Sequence, residues 1–173
     1  MAHFNPAVTV GYLITNHLER KKGLLLIYLL AEITGGILAS IFIYFTLGNV
    51  ANLGANAPNY LDFPIYVIVG IEIFASALLM LVILIVVYTK GLKKFGGIAI
   101  GAIVGLDIFL FGLISGASMN PARSLAPAII SGHIEDLWVY LIAPCLGSAI
   151  AVFTCICTRE SGCCSAKLES CNS

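Results

Sequence analysis

The sequence predicts an all-α membrane protein built as an inverted internal repeat. Three observations lead there. The first is composition: of 173 residues, 60% are hydrophobic and 10% charged, with a mean hydropathy of +1.01. Soluble domains are about 45–50% apolar and about 25% charged. A soluble globular domain, a nucleic-acid binder and a disordered chain are thereby excluded, and the solvent must be lipid. The second is a set of four long apolar stretches. The third is the tripeptide Asn-Pro-Ala, which occurs twice, at Asn5-Pro6-Ala7 and Asn120-Pro121-Ala122.

The elements follow in chain order. A span of the hydrocarbon core needs about 20 mainly apolar residues. Gly23 to about Leu47, Pro64 to about Thr89, Gly96 to about Ile114 and Leu137 to about Cys157 meet that length. Two further apolar segments, about Pro6–His17 and Pro121–Ser131, are too short to cross. Apolar segments of about 10–14 residues are more often re-entrant or interfacial. No secretory signal fits the start, because Asn5-Pro6 interrupts it.

The cations set the orientation. Arg20, Lys21 and Lys22 precede the first span, Lys90, Lys93 and Lys94 join the second to the third, and Arg159 and Lys167 follow the fourth. With alternating spans, all eight fall on one side, which the positive-inside rule makes cytoplasmic. The tail after Cys157 is then expected inside the cell. Arg123 alone lies on the outer side. Trp138, Tyr140 and Tyr66 sit near outer span ends, as an aromatic belt would.

The repeat extends beyond the tripeptide. Ala31-Glu32-Ile33-Thr34-Gly35 is similar to Ala143-Pro144-Cys145-Leu146-Gly147, at an offset of 112 against 115 for the two asparagines. Each unit is a short helix followed by a span. The charge map puts the first short helix on the cytoplasmic side and the second on the outer side. The two units are therefore inverted, an arrangement that marks a transport site at the midplane. Within the second unit, two spans (Pro64–Thr89 and Gly96–Ile114) precede the Asn-Pro-Ala, whereas only Met1 to Phe4 precede the first. The first repeat is thus expected to be truncated by two spans, about 60 residues by the length of a span.

Asn-Pro-Ala is a helix start. Proline is tolerated in the first turn, where its missing N–H costs nothing, and asparagine before it is a strong N-cap. A helix N-terminus carries about half a positive charge. Two such termini meeting from opposite faces make a positive field that repels cations and passes neutral molecules. An asparagine amide lining a cavity can donate to a passing oxygen.

His3-Phe4-Asn5-Pro6-Ala7-Val8-Thr9 and Gly116-Ala117-Ser118-Met119-Asn120-Pro121-Ala122-Arg123-Ser124 resemble the two signature loops of the aquaporin (major intrinsic protein) family. The resemblance covers nearly the whole chain. It implies an aquaporin-like fold of six spans and two half-helices, with this chain supplying the last four spans and both half-helices. It divides the chain into a transmembrane region at 1–157, with a first repeat at 1–47 and a second at 64–157, and a tail at 158–173. It further implies a tetramer of identical subunits, one pore each, in the plasma membrane.

The resemblance also assigns roles. Arg123 corresponds to the fixed cation of the outer constriction, which repels cations and protons. Ile108, twelve residues before Asn120, and Ala117, three before it, correspond to two other wall positions. Ile108 replaces a histidine common in strict water channels, and Ala117 is small. This resembles a wider, archaeal-type filter, open to glycerol or dissolved gases beside water. Ser124 stands where glycerol facilitators carry aspartate, so the solute stays open. Glu72 corresponds to a carboxylate that braces a re-entrant loop, and Glu32 stands where the family often has glutamine.

Several residues have no assigned place. Asp107 leaves three readings: protonated, paired with a polar neighbour, or pore-lining. Gly97, Gly101 and Gly105, and the pairs Gly35/Ala39 and Gly147/Ala151, are expected to form helix contacts. Six cysteines, three of them in the tail (Cys163, Cys164 and Cys171), are expected as free thiols, because a cytoplasmic tail disfavours disulfides. No metal-ligand spacing, phosphate loop or nucleophile with a base is present, so neither a metal nor a cofactor nor an enzyme is expected. The expected function is passive conduction of water and small neutral solutes. The alternative is a non-conducting truncated subunit that packs with full-length ones.

Overall fold

The computed structural model describes residues 3–15, 22–89 and 91–157. Six α-helices follow one another: α1 (Pro6–Ile14), α2 (Lys22–Leu47), α3 (Ile65–Tyr88), α4 (Gly96–Phe111), α5 (Pro121–Ser131) and α6 (Leu137–Cys157). Four of them are long and apolar enough to cross a membrane. The cations Arg20, Lys21, Lys90, Arg159 and Lys167, His17 and the tail cysteines lie outside the described residues.

Local chemistry sets the helix ends. Asn5 Oδ1 accepts from Ala7 N at 2.9 Å and starts α1. Asn120 Oδ1 accepts from Ala122 N at 3.1 Å and starts α5. Gly48 (φ +77°) stops α2 and Gly132 (φ +82°) stops α5. Both take the left-handed conformation that glycine adopts without a Cβ penalty. Helix α4 ends three residues before the expected Ile114. The chain there turns inward, with Ser115 N donating to Phe111 O at 3.0 Å.

The packing has a pseudo-twofold pattern. Helices α3 and α6 form the most extensive contact and hold the core. The short helix α1 packs on α6, and the short helix α5 packs on α2. Each short helix thus lies against the span that follows the other, as an inverted repeat requires. Helix α4 packs on α3 and on the short turn Lys93–Phe95, and on no other described element.

Close approach is where glycines matter. A Cβ on Gly147 would collide with the Ile73 carbonyl and come within 2.9 Å of Ser76 Cβ. A Cβ on Gly11 would lie 2.6 Å from Met80 Cε. The expected contact faces are corrected in two places. Gly36, not Gly35, meets α5, within 3.1 Å of Ala126 Cβ. Gly97, Gly101 and Gly105 meet nothing within 4 Å, because α4 turns another stripe toward α3. Tyr140 is a core residue, 1% exposed, while Trp138 and Tyr66 are exposed. Cys145 is a free thiol, but Cys155 is disulfide-bonded. A compartment argument sees redox poise and not the proximity of two sulfurs.

Candidate pore between the two short helices

Each Asn-Pro-Ala is locked to the other. Asn5 Nδ2 donates to Met119 O at 2.8 Å, and Asn120 Nδ2 donates to Phe4 O at 2.9 Å. One amide oxygen caps its own helix while one N–H crosses to the opposite loop. The two helix starts are thereby held face to face, with their partial positive charges adjacent.

Two glutamates bear on these loops. Glu72 is 0% exposed. Its Oε1 accepts from Ser115 Oγ at 2.8 Å and Ser118 N at 2.9 Å, and its Oε2 accepts from Met119 N at 3.0 Å. These bonds hold a loop that turns through left-handed geometry at three successive points, Gly116 (φ +89°), Ala117 (φ +43°) and Met119 (φ +52°), with only Ser118 intervening. Such a non-glycine conformation costs about 1–3 kcal/mol and persists where the surroundings over-determine it. Tyr140 Oη adds a bond to Ser115 O at 2.6 Å. Glu32 attends the first loop. Its Oε1 accepts from Thr9 Oγ1 at 2.7 Å and lies 3.1 Å from His3 Nδ1. The His3 ring stacks on Tyr28, centroids 4.4 Å apart.

Arg123 is held from the 48–63 loop. Its Nη1 donates to Gly54 O at 3.1 Å and to Asn56 Oδ1. Asn56 Oδ1 also accepts from Ser124 Oγ at 2.7 Å, and Asn56 Nδ2 donates to Gly116 O at 3.0 Å. One side chain therefore ties the 48–63 loop, the second signature loop and Arg123 together. It can do so because Ala51, Asn52 and Leu53 form a left-handed turn (φ +49° to +57°), pinned by buried Leu53.

These groups border a cavity of about 450 Å³ lined by Phe4, Glu32, Gly36, Ser40, Asn120 and Arg123, among others. Of the three expected constriction residues, only Arg123 lines it. Ala117 is buried and is not part of its lining. Ile108 lies on the outward face of α4, 52% exposed and away from the cavity wall. Among the described residues no cluster of His, Cys, Asp or Glu could hold a metal. Sequence reasoning missed Asn56, Thr9 and Tyr140, each of which acts through a fold-dependent contact.

The family model for major intrinsic proteins matches residues 1–155. The chain belongs to this family. Its members are channels, not enzymes, and the chain is a multi-pass membrane protein. It is 37% identical over 151 residues to Nodulin-26 from Glycine max, covering 84% of this chain and 53% of that protein. It is likewise 37% identical to a probable NIP-type aquaporin from Nicotiana alata, covering 88% of this chain and 55% of that protein. The chain thus spans about half the length of these curated relatives. The X-ray structure of the aquaglyceroporin from Plasmodium falciparum has the same fold. Its TM-score is 0.77 at 24% identity, over 92% of this chain and 75% of that one.

Proposed function

We propose that this major intrinsic protein chain forms the wall of a pore for water and small neutral solutes, and that the pore excludes cations. The observation that carries this reading is the reciprocal lock of Asn5 and Asn120. It aims two helix N-termini at one point, where about half a positive charge each opposes a cation. Each asparagine amide has a second N–H beyond the one in the lock, available to a permeating oxygen. Arg123 adds a full charge at the cavity wall, the type of barrier that stops protons and cations. Glu72 and Glu32 are the loop braces. Ile108 and Ala117 complete the proposed filter with Arg123, and of the three Arg123 is the one the cavity supports.

The solute range extends to glycerol and dissolved gases, since glycines and alanines make up much of the cavity wall that Arg123 shares. The assembly is a homotetramer in the plasma membrane, with the tail at 158–173 cytoplasmic. A second reading, a subunit that packs with longer relatives without conducting, is favoured by one observation. Phe4, beside Asn120 on the cavity wall, is 82% exposed.

Stopped-flow light scattering on reconstituted vesicles tests both. Water flux with a low activation energy through vesicles holding the chain supports the pore. Arg123→Val should then raise proton and cation leak and leave water flux within about threefold, a change under 1 kcal/mol in barrier. Flux that appears only on adding a longer family member supports the second reading.

A further inference from the structure

Arg123 is held by neutral groups. Its Nη1 donates to Gly54 O at 3.1 Å and to Asn56 Oδ1. A guanidinium Nη carries two hydrogens, so Nη1 is fully spent on these acceptors. Among the described residues Arg123 forms no salt bridge. The nature of the partner matters for a cation barrier. A carboxylate would fix the guanidinium at least as firmly. It would also cancel the charge that repels a cation, because opposite charges in contact leave little net field.

Asn56 suits this place by its chemistry. Its Oδ1 accepts twice, from Arg123 Nη1 and from Ser124 Oγ at 2.7 Å. Its Nδ2 donates to Gly116 O at 3.0 Å. An amide supplies acceptor and donor together, whereas an ionised carboxylate has no donor. Arginine can only donate, so the atom that faces Arg123 must be the amide oxygen. The fit against the second signature loop is close: a Cβ on Gly116 would lie 2.5 Å from Asn56 Nδ2. Gly116 and Ser124 flank Asn120 in the chain, so Asn56 grips this loop on both sides of its Asn-Pro-Ala. The backbone that presents Asn56 is itself anchored. Before it, Leu53 is buried and the turn Val50–Gly54 packs on α5 and α2. After it, Asn59 N donates to Ile114 O at 3.1 Å.

We propose that Asn56 is the positioning residue of the cation barrier: it fixes the Arg123 guanidinium at the cavity wall and leaves its charge uncancelled. The inference rests on the reading of Arg123 as that barrier. Position and charge can be separated by substitution. Asn56→Ala removes the hold, and the guanidinium is free to leave the wall. Asn56→Asp keeps an acceptor for Nη1 and sets a negative charge beside it. Position is then kept and the charge is lost to the pair.

Two readings on the full chain in lipid vesicles test this. In the first, the vesicles are treated with phenylglyoxal, which adds to guanidinium groups, and the chain is digested for mass spectrometry. Labelling of Arg123 is read against Arg20 and Arg159, the other arginines of the chain. In Asn56→Ala it should rise up to about tenfold, as the loss of one hydrogen bond to a charged group allows. In Asn56→Asp it should stay at the wild-type rate. In the second, proton and potassium leak should rise about tenfold in both variants, the equivalent of about 1.4 kcal/mol in barrier, with water flux kept within about threefold. Asn59→Ala, which removes a bond to Asp62 in the same loop, should match the wild type in both readings. Equal Arg123 labelling in wild type and Asn56→Ala overturns the positioning role. That reading needs no conduction, so it decides the role of Asn56 whether or not the chain passes water. Wild-type leak in Asn56→Asp vesicles that do pass water overturns the charge argument. A leak in Asn59→Ala as large as in Asn56→Ala reduces the effect to loop damage and overturns it as well.

Discussion

At the scale of single residues, the seam between α3 and α6 shows how side-chain volume decides packing in lipid. Helix association there has little hydrophobic driving force and depends on close backbone approach. Gly147 is set against the Ile73 carbonyl and Ser76 Cβ, both parts of α3 that cannot turn aside. Gly147→Ala should therefore destabilise the chain by about 1–3 kcal/mol, the usual cost of overpacking. Gly101→Ala is the control, because nothing lies within 4 Å of its Cβ. Thermal unfolding in detergent should separate the two, and equal melting temperatures would contradict the packing argument. The same scale shows what sequence reading could not reach. Asn56 carries no signal of its own. Its bond to Arg123 depends on a left-handed turn at Ala51–Leu53, where no glycine advertises the geometry. Tyr140 reads as a belt residue from its place near a span end, yet its hydroxyl is spent on Ser115 O.

At the scale of elements, the helices were legible because length and apolarity are themselves the constraint. A membrane span has to be long and unbroken, and Asn-Pro before an apolar run is a start signal with a mechanism. The expected starts at Pro6 and Pro121 match the observed ones. Loop pairings have no such periodic code. The two cross-loop bonds join the same pair of loops, so their losses should not add. Asn5→Ala and Asn120→Ala each remove a cap, at about 0.5–2 kcal/mol, together with one lock. A double-mutant cycle should give a coupling of about 0.5–3 kcal/mol, read from unfolding in detergent; a coupling near zero would mean that the loops are held separately. Tyr60 Oη donates to Asp136 and ties the 48–63 loop to the start of α6. Burial first, and then this carboxylate, push the Tyr60 phenol up from 10.0 to about 12. The contribution of this link is fully present below the ordinary tyrosine value and is lost as pH rises toward 12. A spectrophotometric titration of Tyr60→Phe should show one late-ionising tyrosine fewer than the wild type; identical late phases would discount the link.

At the scale of the whole molecule, the distribution of charge along the chain predicts an orientation in the bilayer that labelling can test. With alternating spans, eight of nine cations are expected on one side. Leu61, in the 48–63 loop, is fully accessible. Leu61→Cys should react with a membrane-impermeant thiol reagent on intact cells, whereas Cys171 should react only after permeabilisation. Strong labelling of Cys171 in intact cells would reverse the orientation.

The reciprocal asparagine bonds also bear on how the protein is made. They join residues 114 and 116 positions apart in the chain. A ribosome adds about 5–20 residues per second. Asn5 therefore emerges roughly 6–23 s before the Met119 carbonyl that it needs, by the same rate. In that interval the first Asn-Pro-Ala turn is already synthesised while its counterpart is not. Local contacts such as Thr9 with Glu32, 23 residues apart, can close much sooner. The central junction thus closes long after the first turn's local contacts can form, and α6, on which α1 and α3 pack, is completed later still.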